Sequence, residues 1–135
     1  MGGPTNRQYG KTILYVEDDD ETRRCVGDRL RRRGFVVRDV ATGQAAVDVV
    51  SDGVRPDAVL LDLVLPDMDG LQAHTRILEQ HPAVPTVICS GALSRIPAGT
   101  LQRAIGKHGR LLAKPCEFRV LLEAIENVVA DDGIA

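Results

Sequence analysis

The chain has 135 residues, 44% of them apolar and 27% charged, which is the balance of one soluble globular domain and too little chain for two separate cores. A formal net charge of −2 gives no bulk attraction to nucleic acid or an anionic membrane, and aromatics at 3% with no Trp leave little with which to stack on bases. The core must be built from Val, Leu, Ile and Ala.

The N-terminal stretch "MGGPTNRQYG" is polar and rich in Gly and Pro, so residues 1–11 are expected to be a flexible tail without a signal sequence. "TILYV" (12–16) is β-branched and apolar, the pattern of a strand buried on both faces. In the following "DDETRRCVGDRLRRRG", Thr22, Cys25, Val26, Arg29 and Leu30 recur at helical spacing, with Asp19 or Asp20 as the cap and Gly34 past the end. Arg29 fits this stripe by laying its methylenes along the boundary. "FVVRDV" (35–40) alternates like a strand near a sheet edge. "TGQAAVDVVSDG" (42–53) is a short helix capped by Thr42.

"DAVLLD" (57–62) is apolar on both faces and hence central, and "DGLQAHTRILEQH" (69–81) puts Leu71, His74, Ile77 and Leu78 on one side of a third helix. "PTVICS" (85–90) is a fourth strand and "GRLLAKP" (109–115) contains a fifth. Between them, Pro97 and Gly99 interrupt the pattern, although "GTLQRAIGKHG" suits a short fourth helix. "CEFRVLLEAIENVVA" (116–130) is a strongly periodic last helix, and residues 131–135 are expected as a C-terminal tail. The one domain therefore spans 12–130. No apolar run nears the roughly 18 residues that span a bilayer, so no membrane association and a cytoplasmic location are expected. Cys25, Cys89 and Cys116 form an odd set without C-x-x-C spacing, each in or beside an apolar run. They are expected to be buried free thiols in a reducing compartment.

Five strands separated by helices imply right-handed crossovers and a mostly parallel sheet covered on both faces, with the site at the carboxyl ends of the strands. Those ends carry the reactive residues. Strand one ends in Glu17-Asp18-Asp19, strand three in Asp62, strand four in Ser90 and strand five in Lys114. Clustered carboxylates repel one another unless a cation intervenes. Glu17, Asp18 and Asp62 suit Mg²⁺, which takes one or two carboxylates and keeps waters, and no nearby His or Cys argues for zinc. Ser90 and Lys114 are then available for phosphoryl oxygens, and an aspartate can act as nucleophile to give an acyl phosphate.

The motifs "ILYVEDD", "LLDLVLPDMDG", "VICSG" and "AKP" occur in this order, with Asp18 and Asp62 44 positions apart. Together they resemble the response-regulator receiver domain of two-component signalling, of the chemotaxis-regulator type. The resemblance implies a doubly wound, flavodoxin-like sheet of order 2-1-3-4-5 with helices on both faces. It implies that Asp62 accepts a phosphoryl group from a phosphohistidine on a sensor histidine kinase or histidine phosphotransfer protein. Mg²⁺ would be held by Asp18, by Glu17 through water, by Asp62 and by the backbone carbonyl of Val64. Ser90 would hydrogen-bond the phosphoryl group and Lys114 pair with it, while Pro115 matches a proline often joined by a cis bond. The chain would not be an enzyme beyond phosphorylating and dephosphorylating itself, nor bind nucleic acid directly.

Competing readings fare less well. A calcium loop with Gly70 as its glycine would put the first ligand on Leu65 and the twelfth on Arg76. Asp67-Met68-Asp69 as a phosphatase D-x-D should end an apolar strand, yet Pro66 precedes it. A degenerate receiver serving only as an interaction module is the remaining alternative, although every expected position holds a suitable group. Asp67 is read as a turn residue and Asp69 as the cap of the third helix. The arginines of the first helix (23, 24, 29, 31, 32, 33) read as a solvated face, or through the resemblance as a partner-docking face. His74, His81 and His108 suggest no ligand set. Two departures stand out: Leu111 occupies a position usually Tyr or Phe in the family, and Val64 and Ala92 offer no polar side chain to orient water.

Overall fold

The computed structural model describes residues 10–106 and 109–132, so most of the expected tails, and His108, lie outside the described residues. The elements follow in strict alternation: β1 (Thr12–Val16), α1 (Asp20–Arg32), β2 (Val36–Val40), α2 (Gly43–Ser51), β3 (Ala58–Leu61), α3 (Gly70–Gln80), β4 (Thr86–Ser90), α4 (Ala98–Ile105), β5 (Arg110–Ala113) and α5 (Phe118–Asp132). A 3₁₀ turn at Leu93–Arg95 precedes α4. The strands form one sheet in the order β2-β1-β3-β4-β5, every pairing parallel. This is the doubly wound order expected. The crossover helices cover both faces, which is why β1 and β3 read as unbroken apolar runs.

The period of two in β1 divides the core. Ile13 and Tyr15 pack with Leu30, Phe35, Leu60, Val87 and the α5 residues Leu121, Ile125 and Val128. Leu14 and Val16 face the other way, onto Val47 and Val50 of α2, Ile77 of α3, and Leu61. A smaller cluster of Leu63, Ile88 and Leu101 lies under α4, and Leu111 packs against it. The start of the sheet is pinned by Asp57, whose carboxylate accepts from Thr12 N–H at 2.7 Å. Gly10 N–H donates to Gly34 O, and Val36 N–H to Lys11 O, so the pairing of β1 with β2 begins before β1 itself.

Asp19, rather than Asp20, caps α1, accepting from both the N–H and the hydroxyl of Thr22. Gly34 follows with φ of +96°, the left-handed conformation that ends the helix turn. The expected stripe of α1 is corrected in two places. Cys25 and Arg29 are exposed, whereas Gly27 and Leu30 are buried. The helix is rotated so that Arg23 faces the sheet edge, where it reaches Asp39 of β2. Arg29 instead lies over the Phe118 ring, 4.2 Å from its centroid. Of the three thiols expected to be buried, only Cys89 is; Cys116 is half-buried and Cys25 exposed, because it sits outside that rotated face.

Candidate functional site

Backbone hydrogen bonds bring the reactive strand ends together. Past the regular strands the ladders continue: Glu17 N–H donates to Val40 O, Asp62 N–H to Val16 O, and Lys114 N–H to Ser90 O. The four residues Glu17, Asp62, Ser90 and Lys114 thereby stand at the same edge of the sheet, although as many as 97 positions separate them in sequence. The strand-end pattern already groups these residues at one edge, and the parallel register sets which of them touch.

Lys114 is the centre of this edge. Its Nζ donates to Glu17 Oε1 at 2.7 Å and to Asp62 Oδ2 at 2.8 Å. Glu17 is 2% exposed and Asp62 8%, so both carboxylates lie in a medium where an unpaired charge would be expensive. One ammonium between two carboxylates leaves a formal net charge of −1 at this edge. Burial opposes ionisation of Asp62, but the Lys114 ammonium, the Val64 N–H and the Ser90 hydroxyl outweigh it and hold the carboxyl below its ordinary range. Burial likewise opposes the charge on Lys114, and its bonds to Asp62 and Glu17 overcome that and raise its pKa. Both groups stay charged at neutral pH.

The remaining positions complete the rim. Val64 N–H donates to Asp62 Oδ1 at 3.1 Å, and the Val64 side chain is exposed. Ser90 is fully buried, its Oγ accepting from Ala92 N–H at 3.1 Å. Asp18 is exposed and makes no hydrogen bond or ion pair among the described residues. The peptide bond between Lys114 and Pro115 is cis.

The loop "DLVLPDMDG" separates its three aspartates by role. Asp62 ends the strand. Asp69 caps α3, its Oδ1 accepting from Leu71 N–H at 2.8 Å. Asp67 does more than shape a turn: it accepts from Gly43 N–H at 2.9 Å and Gln44 N–H at 2.8 Å, joining the loop to the first turn of α2. Gly70 permits the chain to pass directly under Asp62, since a Cβ there would fall 2.5 Å from Leu63 Cα and 2.6 Å from Asp62 O.

A profile of the response regulator receiver domain matches residues 13–126. The chain belongs to that family. Chemotaxis protein CheY of Listeria monocytogenes is 32% identical over 117 residues, covering 85% of this chain and 95% of that protein. The sensor kinase CckA of Brucella abortus is 30% identical over 126 residues, but this chain spans only 13% of its length. A response-regulator domain from Carboxydothermus hydrogenoformans superposes with a TM-score of 0.74 at 31% identity, covering 88% of this chain and 94% of that one. The fold of regulator TrrA from Thermotoga maritima, solved in complex with Mg(2+)-BeF, matches with a TM-score of 0.75 at 22% identity, over 87% of this chain and 98% of that one.

Within this receiver domain, the donors available to a metal are all hard oxygens: the carboxylates of Asp18, Glu17 and Asp62 and nearby carbonyls. Among the described residues no three His, Cys, Asp or Glu side chains form a closed metal cluster. That is compatible with Mg²⁺, which is bound through one or two carboxylates with waters completing the shell. Both oxygens of Glu17 are engaged, Oε1 by Lys114 and Oε2 by Asp19 N–H at 3.1 Å, as are both of Asp62, by Lys114 and Val64 N–H, whereas Asp18 is unpartnered among the described residues. One contributor escapes sequence reading. Arg23 Nη1 donates to the Glu17 carbonyl at 2.9 Å while its other nitrogens reach Asp20 and Asp39, fixing the end of β1. As one of several helix arginines it carries no local signal of this role.

Proposed function

We propose that this receiver domain is a phosphoacceptor, with Asp62 taking a phosphoryl group from a phosphohistidine on a sensor histidine kinase or a histidine phosphotransfer protein. The observation that carries this reading is the Glu17–Lys114–Asp62 bridge at the carboxyl edge of the sheet. An Asp62 oxygen attacks phosphorus as the P–N bond breaks, and the imidazole of the donor keeps the electron pair and takes up a proton. Lys114 then exchanges its bond to the carboxylate for one to a phosphoryl oxygen, and the Ser90 hydroxyl donates to another. Mg²⁺, when bound, neutralises charge on the phosphoryl oxygens. Asp18, Asp62 and the Val64 carbonyl would hold it directly, and Glu17 through water. The Mg²⁺-BeF complex of the Thermotoga regulator supports this assignment by analogy of fold.

The location follows as cytoplasmic, and no helix among the described residues is long and apolar enough to cross a membrane. The exposed arginines of α1 make that helix the proposed docking face for the donor. The interaction-only alternative loses ground because Glu17 and Asp62, which it would let drift, are buried and paired with Lys114. Incubation with acetyl phosphate and Mg²⁺ tests the reading by intact mass. The wild-type chain should gain one phosphoryl group, labile to alkali, and Asp62→Asn should gain none; an unmodified wild-type chain would favour the interaction module. Exposed Val64 and buried Ala92 offer no polar side chain to orient attacking water, so the phosphoryl group should be lost over minutes or longer, not seconds.

A further inference from the structure

A cavity of about 480 Å³ opens beside Asp62, lined by Glu17, Asp62 and Lys114 together with Tyr15, Cys89 and Cys116. The phosphoacceptor chemistry uses neither sulphur. Cys89 lies in β4 opposite Leu112 of β5, directly before Ser90. Cys116 stands at the β5–α5 junction, two residues past Lys114, and packs against the cluster that contains Cys89. We propose that Cys89 and Cys116 are a redox-modification site, which peroxide converts into a reversible disulfide that ties β4 to the β5–α5 junction and slows phosphoryl acceptance.

The two thiols differ in accessibility, which orders the chemistry. Burial, with the neighbouring Cys116 thiol adding to it, pushes the Cys89 thiol up to about 12, so it stays protonated. Cys116 is half-buried on the cavity wall, and its Sγ leans on Glu117 O at 3.5 Å. Peroxide therefore reacts first at Cys116: its sulphur takes one peroxide oxygen as the O–O bond breaks, giving a sulfenic acid and water. The Cys89 sulphur, in the cluster against which Cys116 packs, then forms the S–S bond as the S–O bond breaks, and its proton leaves with the hydroxide as a second water. A thiol reductant reverses the change. Cys25, exposed on α1 and absent from the cavity, takes no part.

The full chain carrying Cys25→Ser, treated with hydrogen peroxide and digested with trypsin without reduction, tests the pair. Peptides 77–95 and 111–119 should be joined, the intact chain should lose two hydrogens in mass, and dithiothreitol should reverse both changes. Cys116→Ser in the same background should abolish the link while leaving the fold unchanged by circular dichroism. Separate peptides with higher oxides on Cys116, or links only between chains, would overturn the proposal. The effect on rate rests on the phosphoacceptor reading: oxidised chain should be phosphorylated by acetyl phosphate roughly fivefold or more slowly than reduced chain. Equal rates with the link in place would overturn the regulatory role. Absence of phosphorylation in the reduced chain would instead overturn the phosphoacceptor reading, while the peptide map still decides the sulphur pair.

Discussion

The two sides of the sheet's carboxyl edge are built differently. β1 and β3, which present Glu17 and Asp62, bury every residue except the half-exposed Thr12, whereas β5, which presents Lys114, is half-exposed or exposed along its length. The carboxylates thus hang from buried inner strands of the sheet, and the ammonium from an edge strand beside a short helix, α4, with one buried residue. A phosphoacceptor site, as proposed, would gain from this asymmetry, since its nucleophile must stay still while a new charge is registered. In the proposed phosphoacceptor role Lys114 would be the group whose partner changes, and it follows the less buried strand.

The largest expected effect strikes the rigid side: Asp62→Asn should abolish phosphoryl uptake altogether, measured by mass. Packing comes next. Leu61→Ala, at a position 1% exposed in β3, should cost about 2–5 kcal/mol, whereas Leu111→Ala in β5 should cost about 1–2 kcal/mol, both read by urea unfolding. Equal costs would show that β5 is as well anchored as β3. Smaller again, Asp69→Ala should remove about 1 kcal/mol of α3 capping without touching phosphorylation, and Asp67→Ala should cost a similar amount through α2.

The subtlest test is pH. His74 of α3 is 2% exposed, with Nε2 3.0 Å from Thr86 Oγ1, and burial lowers its pKa below the ordinary 6.5. The unfolded chain therefore binds the proton more readily, so stability is complete above 6.5 and declines as pH falls below it toward the lower folded value. His74→Gln should flatten the change in unfolding midpoint between about pH 7.5 and about pH 5.5. An unchanged slope would assign the acid sensitivity to other groups.

Much of this was legible in the chain itself. Apolar runs of strand length alternating with amphipathic stretches dictate an α/β sheet, and the reactive residues all fall where those runs stop. Asp69 as a cap is equally local, because its acceptor oxygen and the Leu71 N–H are two residues apart. What the sequence left undecided involves contacts between distant segments. Rotation of α1 exposes Cys25 and turns Arg23 onto the Glu17 carbonyl, an outcome fixed by Asp39 on another strand. Asp67 reads as a turn until α2, more than twenty residues earlier, brings its free N–H groups to it. Most of all, Lys114 is expected at the same strand ends as the acidic cluster, but its bridge between Glu17 and Asp62 exists only because parallel register sets β5's end level with those of β1 and β3. Periodicity is a property of neighbours along the chain, whereas the balance of charge at a site belongs to neighbours in space.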